Sequence, residues 1–132
     1  MTTYPFLSHS LNSSLDSHLS AAYKNIDSDG RIVVAWCDNA DQDVSFKTYD
    51  IVDGSSVLSN VSGEVDVNLT SGACAGAVGT HVDVAALNTS DGQFVIAWDD
   101  ARINQTSIAV YNSSGASILA QTIVNSTTDT AE

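Results

Sequence analysis

The asparagines are the residues of this chain best placed for a chemical reaction, because seven of the nine stand in Asn-X-Ser/Thr sequons. The side-chain amide nitrogen of a sequon is the acceptor for an N-linked glycan in a secreted protein. The seven are Asn12, Asn60, Asn68, Asn88, Asn104, Asn112 and Asn125. They run from end to end of the chain, which predicts a heavily N-glycosylated extracellular or cell-surface protein. Turns rich in Ser, Thr and Asn can also create sequons by accident, and this alternative stays open.

The only two cysteines, Cys37 and Cys74, form an even pair. In an oxidising compartment they would bond to each other, which stabilises the fold by roughly 3–4 kcal/mol on the chain-entropy model. Two separate buried thiols are the alternative. No metal-ligand spacing surrounds either cysteine, so a zinc site is not expected.

The charge balance is strongly acidic, with a formal net charge of −12 and only four basic residues. Nucleic acids and anionic membranes bind clustered Lys and Arg, so neither is expected as a partner. No apolar run is long enough to predict a membrane span. The acidity is typical of a soluble chain, with cation binding as the alternative.

The segment Asn25-Ile-Asp-Ser-Asp-Gly30 places oxygen ligands on alternate residues, as the opening of a Ca²⁺ loop does. Asp27 and Asp29 are its candidate ligands. The distant acidic ligand of an EF-hand loop is missing, and an ordinary Asp-Gly turn is the other explanation of the segment. Ca²⁺ is therefore the only candidate metal, and no other cofactor is expected. A second acidic group follows the first tryptophan and is interpreted as a solvated loop. Its members are Asp38, Asp41 and Asp43.

Catalytic signatures are missing, since there is no G-x-S-x-G motif and no carboxylate pair stands out. The sequence therefore predicts that the chain is not an enzyme. Two tryptophans end apolar runs and are interpreted as core residues, although a sugar-stacking platform with neighbouring acceptors is the alternative. That alternative site consists of Trp36, Trp98, Asp99 and Asp100.

An internal repeat organises the chain. Gly30-Arg-Ile-Val-Val-Ala-Trp36 returns as Gly92-Gln-Phe-Val-Ile-Ala-Trp98, 62 positions later. The copies divide the chain into residues 1–68 and 69–132, and the final Val-Asn pair would begin a further repeat. This spacing predicts two tandem units rather than one irregular domain.

Each copy reads as four short antiparallel strands, so the fold class is all-β. The second strand, at 31–36 and 93–98, is a continuous apolar run that predicts burial on both faces. The third, at 44–49 and 106–111, alternates as a half-buried strand does. The others are expected near 19–23 and 82–87, and near 57–58 and 118–119. The stretch 71–80 around the second cysteine has no predicted structure.

The copies resemble a repeat of secreted bacterial and ciliate surface proteins that reads V-N…A-A-L…D-G-x-F-V-V-x-W…Y…F-D-x-x-G. The matching residues in the second copy are Val67, Asn68, Ala85, Ala86, Leu87, Asp91, Gly92, Phe94, Val95, Trp98, Tyr111 and Gly115. The resemblance implies four-stranded blades, as in β-propellers, and brings no shared catalytic residue. A β-sandwich is the alternative architecture.

Two blades are too few for a closed propeller, which needs four to eight. Repeat units generally need three or more neighbours to bury a continuous core, and exposed sheet edges invite pairing. The expectation is therefore a structural subunit that binds copies of itself and carries covalent N-glycans, as a filament, coat or ring. A carbohydrate-binding lectin or adhesion module is the alternative function.

Overall fold

The computed structural model describes residues 17–26, 29–38, 40–51, 58–74 and 81–125. All regular secondary structure in these ranges is β-strand, arranged as two antiparallel sheets. The all-β prediction is therefore confirmed. None of the described residues belongs to a helix that is long and apolar enough to cross a membrane.

Sheet 1 is built from the first copy of the repeat. Its strands are β1 (Ser17–Ile26), β2 (Asp29–Asp38), β3 (Asp43–Ile51), β4 (Leu58–Asn60) and β5 (Val65–Asp66). They follow the order β1-β2-β3-β4, and β5 also pairs with β3. The fourth strand of the repeat is thus split in two. At the break, Ser62 Oγ accepts a hydrogen bond from Thr48 N at 3.0 Å, and a side chain takes the place of a backbone acceptor.

Sheet 2 is built from the second copy and is a simple meander. Its strands are β6 (Val82–Ala86), β7 (Phe94–Asp100), β8 (Gln105–Tyr111) and β9 (Ser117–Ile123), in the order β6-β7-β8-β9. The hairpin between β7 and β8 pairs Asp100 with Gln105, and the equivalent hairpin of sheet 1 pairs Asp38 with Asp43. The two hairpins match at the repeat spacing of 62 residues.

The two sheets pack face to face on one shared core. Sheet 1 contributes Val33, Ala35 and Phe46 from what we call its inner face, and the Phe46 ring lies 4.5 Å from that of Tyr111 and 5.2 Å from that of Phe94. The inner face of sheet 2 consists of Val82, Val84, Phe94, Ile96, Trp98, Ala109 and Tyr111. The opposite sides of the sheets are called their outer faces.

The inner faces of the two sheets are not equivalent in the repeat. Trp98 lies on the inner face of sheet 2, whereas its counterpart Trp36 lies on the outer face of sheet 1 and packs with Val34 and Tyr49. Each copy therefore uses the opposite side of its sheet in the shared core. The two copies therefore pack head to tail, in an arrangement compatible with either a propeller or a sandwich.

The prediction that both second strands are buried on both faces is right for β2 and wrong for β7. Val33, Val34, Ala35 and Trp36 are all buried, but β7 alternates between buried and half-buried positions. Val95 is one of the half-buried residues. The inner face of β7 is covered by sheet 1, whereas the outer face of β2 is buried in its own cluster with Tyr49.

Candidate glycosylation sites and the turns that present them

The turn between the second and third strands has the same construction in both copies. Asp38 Oδ1 accepts a hydrogen bond from Ala40 N at 2.8 Å, and Asp100 Oδ1 accepts one from Arg102 N at 3.1 Å. Each turn then ends on a left-handed residue, Gln42 with φ 67° and Asn104 with φ 53°. Asparagine adopts this conformation more readily than most residues. The sequon at Asn104 is therefore on an exposed turn tip.

The repeated Val-Asn pair acts as a clasp at the start of the third strand. In the first copy, Val67 N donates to Val44 O at 2.7 Å and Val44 N donates to Asn68 Oδ1 at 2.7 Å. In the second copy, Val124 N donates to the carbonyl of Thr106 at 3.0 Å, and Thr106 N donates to Asn125 Oδ1 at 2.5 Å. The two asparagines thus share one structural role, which holds the chain against the third strand as it leaves each sheet.

The Asn68 clasp differs from its counterpart in burial. Asn68 is only 8% exposed, and its Nδ2 donates to Asp43 Oδ1 at 2.7 Å and to Thr70 O at 2.9 Å. Both amide protons are therefore hydrogen-bonded, and a glycan on Nδ2 would have to break one of these bonds in a closely packed place. Asn68 is the one sequon whose geometry opposes glycosylation among the six that the structure describes.

The remaining described sequons present their asparagines to solvent or close to it. Exposed asparagines are Asn60, Asn88, Asn104 and Asn125, and Asn112 is half-buried. Asn112 Oδ1 accepts hydrogen bonds from the backbone nitrogens of Ser114 and Ala116 and from the Ser114 hydroxyl. Because all three bonds use Oδ1, the turn does not need Nδ2, the atom that carries a glycan. Asn12 lies outside the described residues.

The sequons of sheet 2 are confined to the two ends of its strands. Asn88 and Asn112 follow β6 and β8 at one end, and Asn104 and Asn125 follow β7 and β9 at the other. None of the four lies within a strand. Glycans at these positions would surround the ends of the sheet and leave its faces bare.

Cys37 and Cys74 form a disulfide, as predicted, with Cα atoms 6.0 Å apart. The bond joins the end of β2 to the segment that connects the two sheets. Gly72 N and Cys74 N also donate to the carbonyl of Gln42, at 3.2 and 2.9 Å. This part of the unassigned stretch 71–80 is thereby fastened to the β2–β3 turn, while residues 75–80 lie outside the described ranges.

The sugar-stacking alternative lacks exposed rings at the positions it requires. Trp36 and Trp98 are 3% and 1% exposed, so neither presents a ring face to solvent. Asp100 is buried in an ion pair with Arg102, whose Nη2 lies 2.5 Å from Asp100 Oδ2. Only Asp99 is exposed, and it lies 3.5 Å from His81 Nδ1. Both tryptophans lie in buried clusters, in agreement with their interpretation as core residues.

Asp100 is held in its charged form by its neighbours. Burial alone would raise the pKa of this carboxyl, but hydrogen bonds from Arg102 and from Gln121 Nε2 outweigh burial and leave the pKa below its usual value. Gln121 also donates to Ser107 Oγ at 3.1 Å. The network ties β9 to the β7–β8 turn across the sheet.

An acidic cluster forms where Asp66 of β5 meets the β2–β3 turn. Carboxylate oxygens of Asp41, Asp43 and Asp66 lie within 4.8 Å of one another. Burial and the neighbouring carboxylate of Asp38 raise the pKa of Asp41. Asp43 Oδ1 already accepts bonds from Asn68 Nδ2 and from Gly72 N, the latter at 3.1 Å, so its role is structural.

Sequence reasoning places Asp41 and Asp43 in one acidic loop but has no signal for Asp66, which only strand pairing brings to them. The predicted Ca²⁺ ligands fall elsewhere. Asp29 is the first residue of β2, and Asp27 lies outside the described residues.

No protein-family model, no curated protein and no solved structure matches this chain.

Proposed function

We propose that this chain is a secreted, N-glycosylated structural subunit that binds copies of itself to build an extracellular filament, coat or ring. The observation that carries the proposal is the placement of the sequons on sheet 2. Four of them lie on turns and strand ends, and the strands between carry none. Glycans in these places shield the ends of the sheet and do not disturb its packing.

The disulfide supports an oxidising compartment. Stable disulfides form in secreted and cell-surface proteins and are rare in the cytosol. Cys37 and Cys74 are both almost completely buried, at 0% and 1% exposure, as expected of a structural bond. This agrees with the secretory setting that N-glycosylation requires.

A structural rather than a catalytic role is supported by how the polar side chains are used. The buried carboxylate of Asp100 is neutralised by Arg102, and the buried amide of Asn68 fastens a strand. Both groups are held in bonds that stabilise the fold. A catalytic acid or base must be able to exchange a proton with a substrate. The hydrogen bonds of Asp100 and Asn68 to other residues of the fold do not favour such a role.

Self-association is supported by the head-to-tail packing of the two sheets. Because each copy of the repeat uses the opposite side of its sheet, the arrangement has two unlike ends rather than two like ones. An interface between unlike surfaces produces rings when its rotation closes and fibres when it does not.

Electron microscopy of the native glycosylated material, together with glycopeptide mapping, tests the proposal. Regular fibres or rings with density projecting from Asn88, Asn104, Asn112 and Asn125 are the expected result. A stable monomer at all concentrations, or unmodified asparagines at all four positions, would contradict the proposal. Saturable binding on a glycan array by such a monomer would instead favour a carbohydrate-binding module.

A further inference from the structure

The outer face of sheet 2 is an unpaired copy of a packing surface that the chain already uses. At the repeat spacing of 62 residues, Val95 and Ala97 occupy the places of Val33 and Ala35, with the same residue types. Ile108 occupies the place of Phe46. In sheet 1 these places are 4%, 0% and 0% exposed, because sheet 2 covers them. Their counterparts in sheet 2 are only half-buried.

The surface that covers this face in sheet 1 also has a second copy. Sheet 2 covers Val33, Ala35 and Phe46 with residues of its own inner face. The counterparts of these sheet 2 residues lie on the outer face of sheet 1, where they form a separate apolar cluster. The pairs are Phe94 with Ile32, Ile96 with Val34, Trp98 with Trp36 and Tyr111 with Tyr49.

We infer that the outer face of sheet 2 docks a second copy of this chain, which contacts it through the Ile32–Val34–Trp36–Tyr49 cluster of its own sheet 1. The contact would repeat the interface between the two sheets within one chain. The residue types agree at the equivalent positions, and faces of two β-sheets pack about 10 Å apart with interdigitated side chains. The inference rests on the proposed self-assembly and specifies the surfaces that perform it.

The glycan positions on sheet 2 leave room for this contact. Asn88 and Asn112 lie beyond one end of the sheet 2 strands, and Asn104 and Asn125 beyond the other. The outer face between them contains no sequon. Asn60 of β4 pairs directly with Tyr49 of β3, so its side chain lies on the same face of sheet 1 as the cluster. The proposed contact therefore requires Asn60 to carry no glycan in the assembly.

The two surfaces of the proposed contact differ in how much apolar area docking would bury. The cluster on sheet 1 is already covered in the single chain, since Val34, Trp36 and Tyr49 are 7%, 3% and 7% exposed. Docking there would therefore bury little further apolar surface. The outer face of sheet 2 gains a cover for Val95, Ala97 and Ile108, and this burial of apolar surface drives the association. Assembly should therefore depend strongly on protein concentration.

The first test compares two lysine substitutions in the glycosylated protein by sedimentation and electron microscopy. Ile108→Lys places a charge in the proposed contact, and Leu69→Lys places one at a residue that is 74% exposed and lies outside it. We expect Ile108→Lys to raise the dissociation constant at least about tenfold, because a buried unpaired charge is costly. Leu69→Lys should assemble like the original chain.

The second test does not depend on a destabilising substitution. A photo-crosslinking residue replaces Ala97, and this protein is mixed with an isotope-labelled unmodified copy, so that crosslinks between chains are distinguished by mass. Crosslinks from position 97 to residues 32–36 or 49 of the labelled copy support the inference. Crosslinks between two copies of the outer face of sheet 2 would overturn it.

The outcomes separate this inference from the proposed function. Fibres or rings that form equally well with Ile108→Lys would overturn the docking surface and leave the structural role standing. Native protein that remains monomeric under all conditions would overturn both.

Discussion

Asn68 and Asn125 hold equivalent places and make the same hydrogen bond, each accepting from the backbone nitrogen of the matching residue in the third strand of its sheet. They differ in what their amide nitrogens do. Asn68 Nδ2 is committed to Asp43 and Thr70, whereas the exposed Asn125 uses only its oxygen for the clasp. One repeat position can therefore be structural in one copy and accept a glycan in the other.

Site occupancy should follow this difference. Treatment with an amidase in heavy-oxygen water converts each glycosylated asparagine to a labelled aspartate, which peptide mass spectrometry identifies. We expect labelling at Asn88, Asn104 and Asn125 and none at Asn68, because a glycan there would displace a buried hydrogen bond. Complete labelling at Asn68 would contradict this expectation.

Asn68→Ala should strongly destabilise the fold without changing the glycan content. The substitution leaves Val44 N without its partner in a buried place and removes one of the two hydrogen bonds to Asp43 Oδ1, which together cost about 2–4 kcal/mol. Asn125→Ala is the matched variant, and it should cost about 1 kcal/mol or less because the site is exposed and water replaces the lost group. Urea denaturation of both enzymatically deglycosylated proteins measures the difference. Equal losses would contradict the distinction between the two clasps.

Asp100→Asn should destabilise the protein by about 1–3 kcal/mol at neutral pH, because the buried carboxylate loses the charge that pairs with the partly exposed Arg102. The pKa of Asp100 is lowered by folding, so its contribution is complete above the ordinary aspartate pKa of about 3.9 and is lost as the pH falls toward the folded value. The gap between the original chain and the variant should shrink below about pH 4. Denaturation curves at several pH values measure it, and a gap that stays constant would argue against this role for the ion pair.

Asp41→Asn should stabilise the protein slightly, by about 0.5 kcal/mol or less, since it removes an exposed charge beside Asp38, Asp43 and Asp66. The amide oxygen can still accept the 3.3 Å bond from Asp43 N. Because folding raises the pKa of Asp41, the original chain is relieved of the repulsion as the pH falls through that raised value. The gain should therefore disappear in acid. It should also shrink in high salt, which screens exposed charges, and a gain that is unchanged by salt would require another cause.

The sequence predicts the strands from local patterns of apolar residues, and it predicts the disulfide from the number of cysteines. The apolar runs ending at Trp36 and Trp98 give β2 and β7, and the two cysteines have only each other as partners. It does not predict that β7 is covered on one side only. Val33 and Val95 have similar local sequences, but sheet 2 packs over Val33 and sheet 1 does not pack over Val95. That difference is a property of the whole arrangement.

The candidate sites likewise combine features that the sequence shows with features that only the fold creates. Sequon positions are readable from the chain, but the burial of Asn68 is decided by Asp43 and Thr70, which tertiary hydrogen bonds bring to it. Asp66 joins the acidic cluster only because β5 pairs with β3 beside Ser45. No spacing rule along the chain connects these residues.

The Cys37–Cys74 bond has a mechanical consequence in the assembly that we propose. When the chain is pulled from its two ends, tension crosses from residue 37 to residue 74 through the covalent bridge, so β3, β4 and β5 lie outside the path of the force. The bridge withholds the residues between the two cysteines, 38–73, from extension, roughly 120–130 Å of contour length at full stretch. An oxidised fibre of such subunits would stretch less before rupture than a reduced one, and the first sheet would keep a closed loop of chain even after its hydrogen bonds had failed.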